Sequence, residues 1–150
     1  FDGVAALILN RSTAEFDGHL PLLLEAVCDP SASAAYPMQI QDGPCLQLDW
    51  RPLLRQLVRD DVATPGVRAM RFHRGLAQGV VEVVRRFPSH PVILTGGVFQ
   101  NRVLTELVSE ALVADQREFW IPELIPLNDG GLAAGQLAIA AARDVTQDGS

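Results

Sequence analysis

Residues 91–101 read Pro-Val-Ile-Leu-Thr-Gly-Gly-Val-Phe-Gln-Asn, and residues 126–135 read Pro-Leu-Asn-Asp-Gly-Gly-Leu-Ala-Ala-Gly. In both stretches a Gly pair follows an extended segment and leads into an apolar helical pattern. The run Val92, Ile93, Leu94 is the pattern of a buried parallel strand, whose two faces are both covered. After the Gly96-Gly97 turn, Val103, Leu104, Leu107, Val108, Ala111 and Leu112 recur at helical spacing, and Glu118 to Ile121 reads as a second short strand. Strand, helix and strand make a βαβ unit, which places the chain in the α/β class. A helix start carries unpaired N–H groups and the positive end of a dipole, and glycine lets a ligand approach that backbone. Two such starts predict a phosphate or nucleotide cleft between them.

Upstream, the spacing predicts a long helix over about Val67 to Phe87. Met70, His73, Ala77, Val80, Val84 and Phe87 share one face. Phe72, Leu76, Val81 and Val83 widen it, so burial on more than one side is expected. Before it, Met38–Gln41 and Leu46–Trp50 alternate apolar and polar residues around Asp42-Gly43-Pro44, a β-hairpin pattern. Asp49 is placed to cap the next helix, with Pro52 early in it and Leu53, Leu54, Leu57 and Val58 on its apolar face. At the front, a short helix over Asp2 to Asn10 would be capped by Asp2, and Gly18 would open another over Leu20 to Val27. Residues 29–35 form a small-residue connector. The last helix, Gly131 to Arg143, is rich in Ala and predicts close packing on a neighbour, followed by a polar tail from Asp144 to Ser150.

Composition narrows the classes. At 150 residues, 48% apolar and 20% charged, residues 1–150 read as one globular domain. No apolar run approaches the roughly 20 residues of a membrane span. The net charge of −6, with scattered basic residues, argues against a nucleic-acid surface. All basic residues are Arg, which removes Lys-based Schiff-base or phosphate-loop chemistry. Cys28 and Cys45 form no Cys-x-x-Cys pair, so zinc is not indicated, and a reducing, cytoplasmic compartment is expected. Both cysteines are expected to be semi-buried. The opening Phe1-Asp2-Gly3 reads as mid-element, so the chain is expected to be part of something longer.

Few residues offer chemistry on their own. Neither Gly-x-x-x-x-Gly-Lys nor Gly-x-Gly-x-x-Gly is present. Asn101 either hydrogen-bonds a ribose or base, or is an ordinary exposed helix residue. Asp129 is either a helix N-cap or a carboxylate held at the cleft for a metal. His73 reads as a satisfied core histidine, His19 as facing a cleft or solvent, and His90 as exposed. No Ser–His–Asp or Cys–His set can be assembled.

Taken in order, the motifs resemble the C-terminal end of the hydrogenase maturation carbamoyltransferases, the HypF family. The two Gly-Gly stretches carry the likeness. Phe1 to Leu7, Phe16-Asp17-Gly18-His19 with Glu25 downstream, and Phe72-His73-Arg74-Gly75-Leu76-Ala77 extend it over nearly the whole chain. The resemblance implies the actin-like, sugar-kinase and Hsp70-ATPase (RNase H-like) superfamily, with this chain as its second, C-terminal lobe carrying a β-hairpin insertion and the upstream domains absent. It implies an enzyme that uses carbamoyl phosphate and ATP to form carbamoyl adenylate. The carbamoyl group then passes to the C-terminal cysteine of a partner, HypE, in the synthesis of the cyanide ligand of nickel–iron hydrogenases.

The same resemblance assigns roles. Asp2, Gly18 and Asn101 would contact the nucleotide, Gly96 and Gly97 would shape the loop beneath it, and Asp129 would ligate a divalent metal beside the phosphate. Further metal ligands, a His-x-x-x-His pair, would lie in the first lobe. Asp17, His19 and Leu127 depart from the family's usual residues. Two other readings are the threonylcarbamoyl transferases of tRNA modification, which share fold and cleft, and a non-catalytic nucleotide-binding or interaction module. The Phe-His helix and the Gly-Gly-Val-Phe-Gln-Asn wording favour the hydrogenase family. The chain alone is expected to bind nucleotide weakly and turn nothing over.

Overall fold

A computed structural model describes residues 1–147. Its spine is a 21-residue helix, α4 (Pro65–Arg85), with two apolar clusters stacked along it. The first cluster gathers α1 (Asp2–Leu9), α2 (His19–Ala26) and α3 (Arg51–Arg59) on the N-terminal half of α4, and includes Leu24, Tyr36, Leu57 and Phe72. The second joins the C-terminal half of α4 to the βαβ unit through Val81, Leu94, Val108 and Leu112. Phe1 and Leu76 touch both clusters. Phe72 and Val81 are buried along with His73 and Ala77, so α4 is covered on more than one side, as the widened stripe predicts.

The α4 helix starts two residues before the expected Val67 and ends two before Phe87. The cause is local: Thr64 Oγ1 accepts from the Val67 N–H, and Pro65 stands in the first turn, so Thr64-Pro65 is a start signal. The hairpin strands are β1 (Gln39–Gln41) and β2 (Gln47–Asp49), antiparallel with Ile40 opposite Leu48. Asp49 Oδ1 accepts from the Arg51 N–H at the start of α3, although Val58 on that helix faces solvent. Asp2 does not cap α1; the preceding residue, Phe1, holds that position and Asp2 lies in the first turn.

The βαβ unit is β3 (Val92–Ile93), α5 (Arg102–Ala114) and β4 (Phe119–Trp120), with β3 and β4 parallel. The strand is covered on one face only. Leu94 is buried against α4 and α5, whereas Ile93 is 61% exposed on the other side. The last helix, α6 (Leu132–Gln147), extends past the expected Arg143 into the residues read as a tail; residues 148–150 lie outside the described part. Its close packing is not realised among the described residues: Leu132, Leu137 and Ile139 are all more than half exposed. Cys28 is half-buried, but Cys45, expected to be semi-buried, is exposed beside the hairpin turn.

Candidate functional site

The chain turns sharply after β3. Gly96 sits at φ +99°, a conformation that side chains rarely adopt, and leads into one tight helical turn, Gly97–Gln100. Two cavities open on either side of this turn and share Gly97. The first, about 380 Å³, is lined by Gly18 and Glu25 of the α2 region, by Phe1, and by Gly97, Gln100 and Asn101. The second, about 480 Å³, lies between Gly96-Gly97 and the second Gly-Gly stretch, with Asn128, Asp129 and Gly131 in its wall. The two Gly-Gly turns therefore face each other, and a Cβ added at Gly97 would meet Asn128 Cβ at 3.9 Å.

Of the residues singled out in the sequence, Gly18 and Asn101 line the first cavity, Gly96 and Asp129 the second, and Gly97 both. Asp2 is exposed on α1 and lines neither. Gly18 has φ +82° at the entrance to α2.

Asn101 is not the exposed helix residue that one of its readings expects; it is 8% exposed and is the N-cap of α5. Its Oδ1 accepts from the Leu104 N–H at 2.8 Å, and its Nδ2 lies 3.0 Å from His73 Nε2. Glu25 takes another of the first N–H groups of α5: its Oε2 accepts from the Arg102 N–H at 3.1 Å. The start of α5 is thus largely satisfied from within, not open to a ligand as first expected. A carboxylate 77 positions upstream already fills the place an anion would take. Glu25 has no local signal for this role.

Asp129 is not the cap of its turn. Asn128 is, with its Oδ1 accepting from the Gly130 N–H at 3.0 Å. That leaves the Asp129 carboxylate exposed on the cavity wall, without a hydrogen bond or ion pair among the described residues. It can serve as one ligand to a cation. Among the described residues no three His, Cys, Asp or Glu side chains gather to hold a metal, so Asp129 alone does not constitute a site.

The histidines are structural in their immediate contacts. His73 is fully buried, and burial lowers its basicity, so its imidazole is neutral. His19 is buried, stacks on Phe16 at 4.7 Å and accepts from the Glu15 N–H through Nδ1. His90 is exposed, as expected. Cys28 Sγ lies 3.4 Å from His73 Nδ1, but burial and the nearby Glu25 push its thiol up to about 11, which removes it as a nucleophile at neutral pH.

The electrostatics of the two cavities differ. The charged side chains lining the first are Asp17 and Glu25, which repel phosphate and can accept hydrogen bonds from ribose hydroxyls. The second combines glycine backbone with the single carboxylate of Asp129.

Residues 1–136 match the family model described as carbamoyltransferase, Kae1-like domain, second subdomain. The chain is 31% identical over 140 residues to carbamoyltransferase HypF of Synechocystis, covering 91% of this chain and 18% of that protein. It is 34% identical over 150 residues to carbamoyltransferase HypF of Rhodobacter capsulatus, covering 95% and 19%. Among solved structures, a full-length HypF in its phosphate- and nucleotide-bound form is similar with TM-score 0.82 and 30% identity, over 93% of this chain and 19% of that one. The HypF of T. kodakarensis, at 21% identity and TM-score 0.74, shares the fold. The chain thus spans about a fifth of the length of these relatives.

Proposed function

The chain belongs to the HypF carbamoyltransferase family, as the second subdomain of its Kae1-like domain, and from that premise we propose that it forms one wall of the nucleotide cleft in a longer, ATP-dependent enzyme. In this reading residues 1–150 are the C-terminal lobe of an actin-like carbamoyl-transfer domain. The parent uses carbamoyl phosphate and ATP, holds carbamoyl adenylate, and delivers the carbamoyl group to the C-terminal cysteine of HypE in the cytoplasm.

The observation that carries the reading is the pair of cavities meeting at Gly97. The acid-lined cavity beside Gly18 and Asn101 suits the nucleoside, with Asp17 and Glu25 toward the ribose hydroxyls. The Gly96-Gly97 turn lies beneath the phosphate, and Asp129 faces it across the second cavity. A divalent metal, when bound, supplies positive charge beside that phosphate. Asp129 is the residue of this chain that would hold it, the remaining ligands coming from elsewhere in the parent. Asp2 stands outside both cavities and contributes least.

The test uses the full-length parent. Gly97→Leu places a side chain between the two cavities without demanding a left-handed backbone, since the positive-φ glycines are Gly18 and Gly96. It should weaken ATP binding in calorimetry while the unfolding temperature holds. Asp129→Ala should lower carbamoyl transfer to HypE by about 10–100-fold, the scale of one lost charged contact. Asn101→Ala should abolish transfer and cost roughly 1 kcal/mol of stability as a lost cap. Unchanged nucleotide affinity in Gly97→Leu with full transfer in Asp129→Ala would remove the cleft from this face. Transfer to a tRNA adenosine in place of HypE would move the parent to the threonylcarbamoyl class.

A further inference from the structure

We propose that His73 is a positioning residue for the nucleotide cleft, acting through the side chain of Asn101. The inference rests on the reading of that cleft given above. The polarity of the contacts allows one arrangement. The Leu104 N–H only donates, so the atom of Asn101 facing it at 2.8 Å is the oxygen and the amide nitrogen points to His73. The Ala69 carbonyl only accepts, so His73 Nδ1, 2.8 Å from it, carries the ring proton. His73 Nε2 is then a bare acceptor, 3.0 Å from Asn101 Nδ2. Ala69, His73, Asn101 and Leu104 thus form one directed chain of hydrogen bonds from the middle of α4 to the first turn of α5.

This chain fixes what Asn101 shows to the cavity. One amide hydrogen and one oxygen lone pair are committed inward, and the other of each remains for a ligand. Without an acceptor at the position of His73 Nε2, the amide has no reason to keep its orientation. The imidazole is itself held, with edge contacts to the rings of Phe1 at 5.5 Å and Phe72 at 5.6 Å. A core histidine serving only to fill space would need no lone pair aimed at a cleft residue.

Two substitutions separate the roles in the full-length parent. His73→Gln places an amide oxygen near the position of Nε2, keeping an acceptor for Asn101. His73→Asn places its amide near Nδ1, keeping a partner for Ala69 but none for Asn101. Both lose the ring packing, so both should lower the unfolding temperature. The affinity for ATP, read by calorimetry, should stay within about threefold of wild type in His73→Gln and fall about tenfold in His73→Asn, the scale of one hydrogen bond. In an Asn101→Ser background, which retains a helix cap, the two variants should bind ATP alike. Should His73→Asn fail to fold, His73→Met supplies volume without an acceptor and is expected to weaken binding where His73→Gln does not. Equal affinities for the acceptor and non-acceptor variants would overturn the proposal, as would a difference that survives in Asn101→Ser. If Gly97→Leu weakens ATP binding while the His73 variants bind alike, the cleft stands and His73 is structural. If Gly97→Leu also binds normally, the cleft reading itself has failed.

Discussion

The proton on His73 sets an acid limit for this molecule. Burial lowers the pKa of the ring below its usual 6.5, and the Ala69 carbonyl offsets only part of that. The folded state therefore keeps the ring neutral at a pH where the unfolded chain has already taken a proton. Between the two pKa values the unfolded state binds more protons, so stability rises with pH across that window. It is complete above about pH 6.5 and is lost as pH falls from there toward the folded-state value. The titratable group in hydrogen-bond reach of the ring, Cys28, stays neutral in this range, because its thiol is pushed up to about 11. Denaturant unfolding at pH 7.5 and 5.5 should show lower stability at the acid pH, and His73→Gln should flatten the difference. An equal drop in the variant would assign the acid loss to other groups. The same thiol gives a second expectation: iodoacetamide at pH 8 should label exposed Cys45 well before Cys28, read peptide by peptide in a mass spectrometer.

At the scale of the elements, α4 depends on being thin where it crosses the backbone of Tyr36, at the end of the connector. Gly75 lies within the helix, and a Cβ there would run into the Tyr36 carbonyl oxygen. Ala in an exposed helix would be favoured over Gly by roughly 1 kcal/mol. Here the clash is with backbone, which also carries the Tyr36 N–H to Arg71 carbonyl bond at 3.1 Å, so the sign reverses. Gly75→Ala should destabilise by about 1–3 kcal/mol in chemical unfolding, the usual cost of overpacking a core. A neutral or stabilising result would mean that the connector yields. The distinction between Gly75 and the cleft glycines also marks what the residues alone could tell. Local pattern was enough for α4, for the strand–Gly-Gly–helix unit and for the hairpin, because each is a matter of spacing over a few turns. It also paired the two Gly-Gly turns. It did not reveal that Glu25 and Asn101 close the start of α5 from within. Glu25 stands 77 positions from the Arg102 N–H it meets, and although Asn101 caps the Leu104 N–H only three residues on, the His73 that holds its amide lies 28 positions away. Nor did it point to Asn128, which takes the cap in place of Asp129, since either side chain can accept from a following N–H.

For the molecule as a whole, the decisive quantity is the apolar surface left uncovered on the β3–β4 pair, the segment after it and α6. The β3–β4 pair has two strands, and parallel sheets are normally covered on both faces. Here Ile93 and Trp120, at 61% and 48% exposed, face outward. Leu124, at 99%, and Leu137 and Ile139 on α6, at 71% and 56%, add to the same kind of surface. Exposed apolar area of this extent promotes association in an isolated domain. The α6 helix packs chiefly on the short turn that precedes it, whereas α4 and α5 pack on each other through the second cluster. Backbone hydrogen bonds with little tertiary cover open most easily. The purified 150-residue chain should therefore sediment as larger species with rising concentration, and the amides of α6 should exchange with solvent much faster than those of α4. If, as proposed, the rest of a longer enzyme covers this surface, the same α6 amides should be protected in the full-length parent. On the proposed reading the isolated chain, with one wall of a cleft and one carboxylate for a metal, should hydrolyse no ATP at steady state. A monomer with α6 as slow to exchange as α4, or one that turns over ATP, would show that this subdomain is self-sufficient and that its exposed helix serves some purpose other than joining the cleft together.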